Sequence, residues 1–295
     1  MNGKFVPWDE AKTHVLDHAL HYGTGVFEGI RAYETEDGNS AIFRLDAHVE
    51  RMFNSAGALQ MKIPYSRKQI GEIIVETVRK NRLKECYIRP LAWYGYRELG
   101  LHAQDLPVNF MVAVWTWGKY LGSEGVKTKI STWIRNSPNS FPNGAKIVGS
   151  YVNSVLAAEE ARAAGYDEAI LLDHRGFIAE GPGENIFIVK NGKLLTPPLH
   201  TSVLPGITRA TIMDLAHDLE LETKEADITR NTLYNADEAF FTGTAAEVTP
   251  IYEVDARKIG NGKTGPITKK IQSAYSAVIR GKNQRYKHWL TYIYE

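Results

Sequence analysis

The sequence predicts a two-domain protein of mixed α/β (α+β) class, with an antiparallel first half. Three observations predict it. The chain has 295 residues, enough for one large or two medium domains, and a chain of that size buries roughly 75% of the surface its unfolded form exposes. Strand-length runs of β-branched and aromatic residues alternate with segments whose apolar residues recur at helical spacing, without the regular rhythm of a dinucleotide-binding fold. Gly118, Gly122 and Gly125 interrupt both patterns and mark a connection. These divide the chain into a first domain at 1–117, an interdomain loop at 118–128 and a second domain at 129–295.

In the first domain, residues 27–33 and 41–44 read as a hairpin turning at Asp37-Gly38. A helix follows from Asp46 as cap to about Leu59, and Ser66 opens another in which Ile70, Ile73, Ile74 and Val78 form a stripe that should face a sheet. Arg79, Lys80 and Arg82 suit the negative end of its dipole. Residues 86–94 and 108–117 then read as buried strands. In the second domain an alanine-rich helix spans about 154–164, and strands cover 169–173, 177–180 and 186–190, the last turning at Asn191-Gly192. Gly206 starts a helix with Ile212, Leu215, Ala216 and Leu219 on one face, and 267–279 forms a last long one.

Composition narrows the function. The 35 basic and 34 acidic residues give a net charge of +1 without long runs of either sign, so no nucleic-acid footprint is expected and partners should be small molecules. A single cysteine, Cys86, excludes an internal disulfide and fits a reducing compartment. The first residues carry Asp9 and Glu10 and no apolar signal, and no stretch is long enough to span a membrane, so a cytoplasmic protein is expected. Gly262-Lys263-Thr264 imitates the end of a P-loop, but Arg257 stands where the first glycine is needed. Gly181-Pro182-Gly183 leads into a strand rather than a helix, which disfavours a dinucleotide site. His14, His18 and His21 lack the glutamate or cysteine that would complete a metal set, so no metal is expected.

Lys146 is the first candidate for chemistry. It lies in Asn143-Gly144-Ala145-Lys146-Ile147-Val148-Gly149, among small and apolar neighbours that suit an amine required to be neutral part of the time. Glu180 closes a strand before Gly181 and Gly183, where a carboxylate could approach the edge of a flat ring. Leu204-Pro205-Gly206-Ile207-Thr208 enters a helix with unbonded N–H groups and a hydroxyl suited to an anion, and Thr242-Gly243-Thr244-Ala245-Ala246-Glu247 offers further backbone donors. A lysine for imine formation, a carboxylate for a ring nitrogen and donors for a phosphate are the requirements of pyridoxal 5'-phosphate.

Together with His18-Ala19-Leu20-His21-Tyr22-Gly23-Thr24-Gly25-Val26-Phe27-Glu28-Gly29-Ile30-Arg31 and Tyr87-Ile88-Arg89-Pro90, these segments resemble, in the same order, the fold type IV pyridoxal-phosphate enzymes, specifically the branched-chain amino acid aminotransferases. The resemblance covers nearly the whole chain and implies a two-domain, D-amino acid aminotransferase-like fold. It implies that Lys146 forms the Schiff base and moves the proton, that Glu180 holds the pyridine nitrogen and Tyr151 the phenolic oxygen, and that Arg51, Ile207, Thr208 and Thr244 hold the phosphate. Gly183, Asn185, Leu204, Gly206 and Gly243 complete the implied cofactor site. The implied substrate pocket has Tyr22, Phe27, Tyr87, Trp117 and Tyr120 as walls, with space left by Gly29. Backbone at Thr244, Ala245 and Ala246 would meet the α-carboxylate, and Arg89 with Tyr22 the distal carboxylate of glutamate or 2-oxoglutarate.

The implied reaction is a ping-pong transfer of the amino group of L-leucine, L-isoleucine or L-valine to 2-oxoglutarate, in a homodimer or an assembly of dimers. Leu99-Gly100-Leu101-His102-Ala103-Gln104-Asp105 departs from the family's more usual glycine, valine, asparagine and proline pattern. A D-amino acid or (R)-amine transaminase, which shares the lysine and glutamate, is the alternative, and an aminodeoxychorismate lyase is disfavoured by the first two blocks.

Overall fold

The computed structural model describes residues 1–118, 121 and 125–294; Tyr120 and part of the 118–128 loop lie outside the described residues. The chain forms two compact units. The first comprises Met1–Trp117, Ala145–Ser150 and Ile279–Glu295, and the second Gly118–Gly144 and Tyr151–Val278. The segment bearing Lys146 and the C-terminal residues, grouped on sequence with 129–295, therefore sit with the first unit. Strand pairing is the reason: Ile147 bridges Val26, and the strand Leu290–Tyr292 pairs with Ser40–Phe43.

The first unit is built on an antiparallel sheet. Its strands are β1 (Gly25–Phe27), β2 (Ile30–Glu34), β3 (Ser40–Phe43), β4 (Cys86–Tyr94) and β5 (Val108–Trp115), ordered β1-β4-β2-β3 and then Leu290–Tyr292, with β5 also paired to β4. The expected hairpin forms with Ala32 opposite Ile42 and Tyr33 opposite Ala41, and Gly38 takes the positive φ of +79° in its turn. Residues 25–27 separate as their own strand, because the chain breaks at Glu28-Gly29 and re-pairs with β4. Alternation sorts the side chains. Val26, Ile30, Ala32, Ile88, Ala92 and Phe110 share one face and are nearly fully buried. Phe27, Arg31, Tyr87, Arg89 and Trp115 share the other.

Three helices flank this sheet: α1 (His18–Tyr22), α2 (Leu45–Ala58) and α3 (Arg67–Asn81). Ser66 and Gln69 form a reciprocal capping box at the start of α3, and Ile70, Ile74 and Val78 are fully buried against the strands. Asp46 is not the cap of α2. Arg44, in the left-handed conformation, takes that position, and Asp46 falls in the first turn.

The second unit holds a mixed sheet of β6 (Val126–Ile134), β7 (Glu168–Leu172), β8 (Ile178–Glu180), β9 (Asn185–Lys190), β10 (Lys193–Thr196), β11 (Thr223–Glu225), β12 (Glu238–Gly243), β13 (Glu247–Val254) and the short β14 (Arg257–Lys258). The order is β11-β10-β9-β12-β13-β6-β7-β8, with β14 on β13. Side chains on both faces of β7, β9 and β12 are buried, which is why these strands read as continuous apolar runs. Ile186, Ile188 and Phe241 enter one core with Ile170, Ile178 and Ile251, while Phe187 stacks on Phe240 at 5.3 Å. The helices are α4 (Tyr151–Ala163), α5 (Ile207–Asp218), α6 (Arg230–Tyr234) and α7 (Pro266–Ile279). Helix α4 begins earlier than its alanine run suggests, because the 3-10 turn Val148–Ser150 feeds into it. No described helix is long and apolar enough to cross a membrane.

Candidate active site

Lys146 is held by its own peptide on both sides. Its N–H donates to Ser55 Oγ at 2.8 Å, and its C=O accepts from the N–H of Phe27 at 3.1 Å. Its Nζ lies 4.8 Å from the centre of the Phe27 ring. The glycine nearby serves packing rather than a ligand: Gly149 N–H donates to Gly23 C=O, and a Cβ on Gly23 would come within 2.7 Å of Gly149 Cα. Ser55 is fully buried on α2 and donates its own proton to Arg51 C=O at 2.8 Å, tying the lysine to the helix that carries Arg51.

The Arg51 guanidinium donates through Nε and Nη2 to the two oxygens of Glu28, each at 2.8 Å, and His48 Nδ1 lies 2.8 Å from Glu28 Oε2. Burial alone would push the Glu28 carboxyl upward, but the charge and hydrogen bonds of Arg51, with that of His48, hold it well below the usual carboxylate range. Burial pushes His48 down, with Arg51 and Lys146 acting in the same direction and Glu28 opposing, so the imidazole stays neutral at physiological pH and donates to the carboxylate.

On the second face of the first sheet the aromatic walls gather. Tyr87 packs 5.1 Å from Trp115 and edge-on, 4.6 Å, to Trp117, while Arg89 lies over Phe27 at 4.8 Å and donates to Tyr87 Oη at 3.2 Å. Arg89 Nε is buried without a hydrogen-bond partner, a donor awaiting an acceptor. Gly29 is obligatory here: a Cβ would fall 2.1 Å from Tyr87 Oη. Arg31 fixes the end of the wall by donating to Trp117 C=O at 2.9 Å. Tyr22 ends α1 half exposed, its ring 4.5 Å from that of His18. Further along β4, beyond these residues, a cavity of about 710 Å³ is lined by Leu91 and Trp93 with the N-terminal segment, and contains none of the expected substrate residues.

In the second unit Glu180 is buried at the end of β8. Arg135 donates through Nε to its Oε1 at 2.8 Å, and Asn185 Nδ2 and Leu204 N–H both donate to Oε2 at 3.0 Å. Asn185 and Leu204, expected around the cofactor, thus orient the carboxylate. Asn185 also explains Gly206, whose Cβ would lie 1.9 Å from Asn185 Oδ1. Gly181 makes room for Glu184 and Phe241 rather than for a ring, its Cβ being 2.6 Å from Glu184 Oε2. Gly183 is exposed and spatially unconstrained. Helix α5 starts at Ile207 with Gly206 as cap and no side-chain capping bond, leaving the first N–H groups and the buried Thr208 to an external anion. Gly243 ends β12, Thr244 and Ala245 form the half-buried turn after it, and Ala246 is buried. Tyr151 is the first residue of α4. No group of three or more His, Cys, Asp or Glu among the described residues could hold a metal.

The sequence matches the amino-transferase class IV family over residues 25–254. It is 50% identical to the branched-chain-amino-acid aminotransferase of Pseudomonas aeruginosa, covering 99% of this chain and 96% of the relative, and 43% identical to that of Escherichia coli, covering 98% and 95%. The chain belongs to the class IV aminotransferases, among the branched-chain amino acid aminotransferases. The structure of this aminotransferase superposes on that of the branched-chain aminotransferase from the thermophilic archaeon Thermoproteus uzoniensis, solved with norvaline, with a TM-score of 0.96 at 46% identity, covering 99% and 98% of the two chains. Other similar branched-chain amino acid aminotransferases have been solved with pyridoxamine 5'-phosphate and with N-(5'-phosphopyridoxyl)-L-glutamate.

Arg135, Ser55, Glu28 and Trp115 are the residues of this aminotransferase that sequence reasoning did not single out for a role. Trp115 could have been found from strand alternation, since it stands opposite Tyr87 in the β4–β5 ladder. Arg135 carried no signal, because it follows a strand, β6, that local pattern does not reveal.

Proposed function

We propose that the protein moves the amino group of L-leucine, L-isoleucine or L-valine to 2-oxoglutarate in two half-reactions on one site, with pyridoxal 5'-phosphate as cofactor. The donor set fits that cofactor: an amine at Lys146, a buried carboxylate in an ion pair at Glu180, and for the phosphate the charge of Arg51 with the uncapped start of α5. When bound, the cofactor supplies an aldehyde and a cationic ring that takes up the electron pair left at the substrate α-carbon. Lys146 would hold it through that aldehyde, Glu180 would keep its ring proton, Tyr151 would meet its phenolic oxygen, and Arg51, Ile207, Thr208 and Thr244 its phosphate.

Within this reading Lys146 Nζ removes the α-proton and returns it one carbon away, and the second half-reaction runs the same transfer in reverse. The clamp on both sides of its peptide keeps the amine within reach of both carbons. Phe27, Tyr87, Trp115 and Trp117 exclude water and receive a branched side chain, worth roughly 1.5–3 kcal/mol of burial. Arg89 receives the distal carboxylate of glutamate, so one pocket accepts two unlike side chains. Exposed Val152, Val155 and Leu156, on one side of α4, support self-association.

The observation that carries the reading is the doubly anchored Lys146 beside an aromatic wall that ends in a buried arginine donor. Its test is a visible spectrum of the purified protein that changes on adding L-leucine and recovers with 2-oxoglutarate. A protein without cofactor absorbance, or a Lys146→Ala variant with normal turnover, ends it. Consumption of D-leucine in place of L-leucine would assign the D-amino acid alternative.

A further inference from the structure

Helix α2 carries His48, Arg51 and Ser55 at i, i+3 and i+7, one polar stripe on a helix whose neighbouring stripe, Leu45, Val49, Met52 and Ala56, is buried. His48 and Ser55 are buried as completely as the apolar residues, and the Arg51 side chain is only 11% exposed. Burying polar groups is costly unless each is bonded, and here each is bonded toward one place. Ser55 holds the Lys146 peptide, and His48 and Arg51 converge on Glu28. Glu28 is itself immobile: its side chain is 1% exposed, its N–H donates to Pro90 C=O at 2.9 Å, and Gly29 N–H reaches its Oε2 at 3.3 Å.

We propose that Glu28 and His48 are positioning residues for recognition of the cofactor phosphate: Glu28 grips the Nε–Nη2 edge of Arg51, His48 locks the carboxylate, and the planar guanidinium then presents its Nη1 edge to the phosphate. The inference rests on pyridoxal 5'-phosphate being the cofactor. Guanidinium planarity makes the mechanism possible, since fixing one edge fixes the direction of the other. The carboxylate is an unexpected neighbour for an anion site. Its negative charge by itself opposes phosphate binding, so its presence is explained by the geometry it imposes on Arg51.

This opposition gives the test its sign. The full-length protein, freed of cofactor, is titrated with pyridoxal 5'-phosphate and with pyridoxal, which lacks the phosphate but keeps the aldehyde that Lys146 uses. In Glu28→Gln the amide nitrogen faces donors of Arg51 or His48, and the expected result is a Kd for pyridoxal 5'-phosphate raised about tenfold or more, the cost typical of an outer residue that orients a ligand-binding one. Pyridoxal should change by less than about twofold. Glu28→Asp keeps the charge but cannot span both partners, and should lose phosphate preference in the same direction. His48→Phe keeps the ring volume without the donor and reads the same ratio if Glu28→Gln fails to fold. Unchanged preference in these variants, an equal loss with both compounds, or tighter phosphate binding in Glu28→Gln overturns the proposal. Failure of the wild-type protein to take up either compound instead overturns the cofactor reading.

Discussion

Replacing Arg135 with methionine tests whether the buried ion pair is what sustains Glu180 in the second unit. The side chains of the pair are 8% and 3% exposed, with Nε 2.8 Å from Oε1, and Arg135 Nη1 also donates to Ser154 Oγ at 2.8 Å. Removing one partner of such a pair costs about 3–5 kcal/mol, because the other charge is left buried. Asn185 and Leu204 still bond the carboxylate in the variant, which favours the lower end, about 3 kcal/mol. At about 2.1 cal/mol/K per residue, a chain this long converts that to a fall in Tm of ~5 °C. Thermal and urea unfolding of Arg135→Met, Glu180→Gln and the double variant would be compared. The double variant should recover most of the stability, since removing both charges relieves the uncompensated one, and the coupling energy should exceed about 2 kcal/mol. It should not recover turnover, because no carboxylate remains for the ring proton. Additive losses, or an Arg135→Met variant as stable as the wild type, would refute the reasoning.

Gly29→Ala places a methyl 2.1 Å from Tyr87 Oη, on a ring hemmed in by Trp115, Trp117 and Arg89; kcat/KM for L-leucine should fall about tenfold or more, measured by steady-state kinetics. Ser55→Ala leaves the Lys146 N–H without its acceptor, and should cost about 1–3 kcal/mol and speed hydrogen exchange at that amide. Glu160 supplies a pH dependence: burial pushes its carboxyl up, but bonds from Lys129, Ser131 and the Thr132 N–H outweigh this and hold it down at about 2. A depressed folded pKa stabilises fully above the unfolded value of 4.5 and loses that stabilisation as the pH falls through about 2, so the gap between wild type and Glu160→Gln, about 1 kcal/mol at neutral pH, should close over that window in urea titrations.

Most of the fold is legible in the sequence where local chemistry decides it. Ser66 and Gln69 announce α3, Asn191-Gly192 turns β9 into β10, and the apolar run of β4 has the bounds expected of it. The starts of α2 and α4 are not legible, for two different reasons. Arg44 caps α2 by adopting φ +53°, a conformation its side chain does not advertise. Helix α4 is preceded by a 3-10 turn whose residues, Val148–Ser150, carry no capping motif. Strand β6 escapes a sequence reading because Lys127 and Lys129 alternate with Val126, Thr128 and Ile130 beside a glycine-rich segment, which reads as a continuation of the loop. The grouping of residues 145–150 and 279–295 with the first unit depends on long-range pairing, on which local pattern is silent.

The site divides in the same way. Lys146, Glu180 and the start of α5 stand at element ends beside glycine or proline, where exposed backbone donors and the lack of bulky neighbours leave a trace in the sequence. The residues that orient them do not. On a helical wheel, His48, Arg51 and Ser55 look like the solvated stripe of an amphipathic helix, and only the position of Glu28 between β1 and β2 shows that the stripe faces inward. Arg135 likewise resembles a strand-end surface residue until Glu180 is found beside it. A charge whose partner is distant in sequence cannot be told from a solvated one by spacing, because both satisfy the same periodicity and differ only in who supplies the hydrogen bonds. Functional groups in this chain are therefore visible through their local backbone, whereas their supports become visible only through tertiary pairing, and Arg51 belongs to both classes: a ligand for phosphate whose aim depends on Glu28.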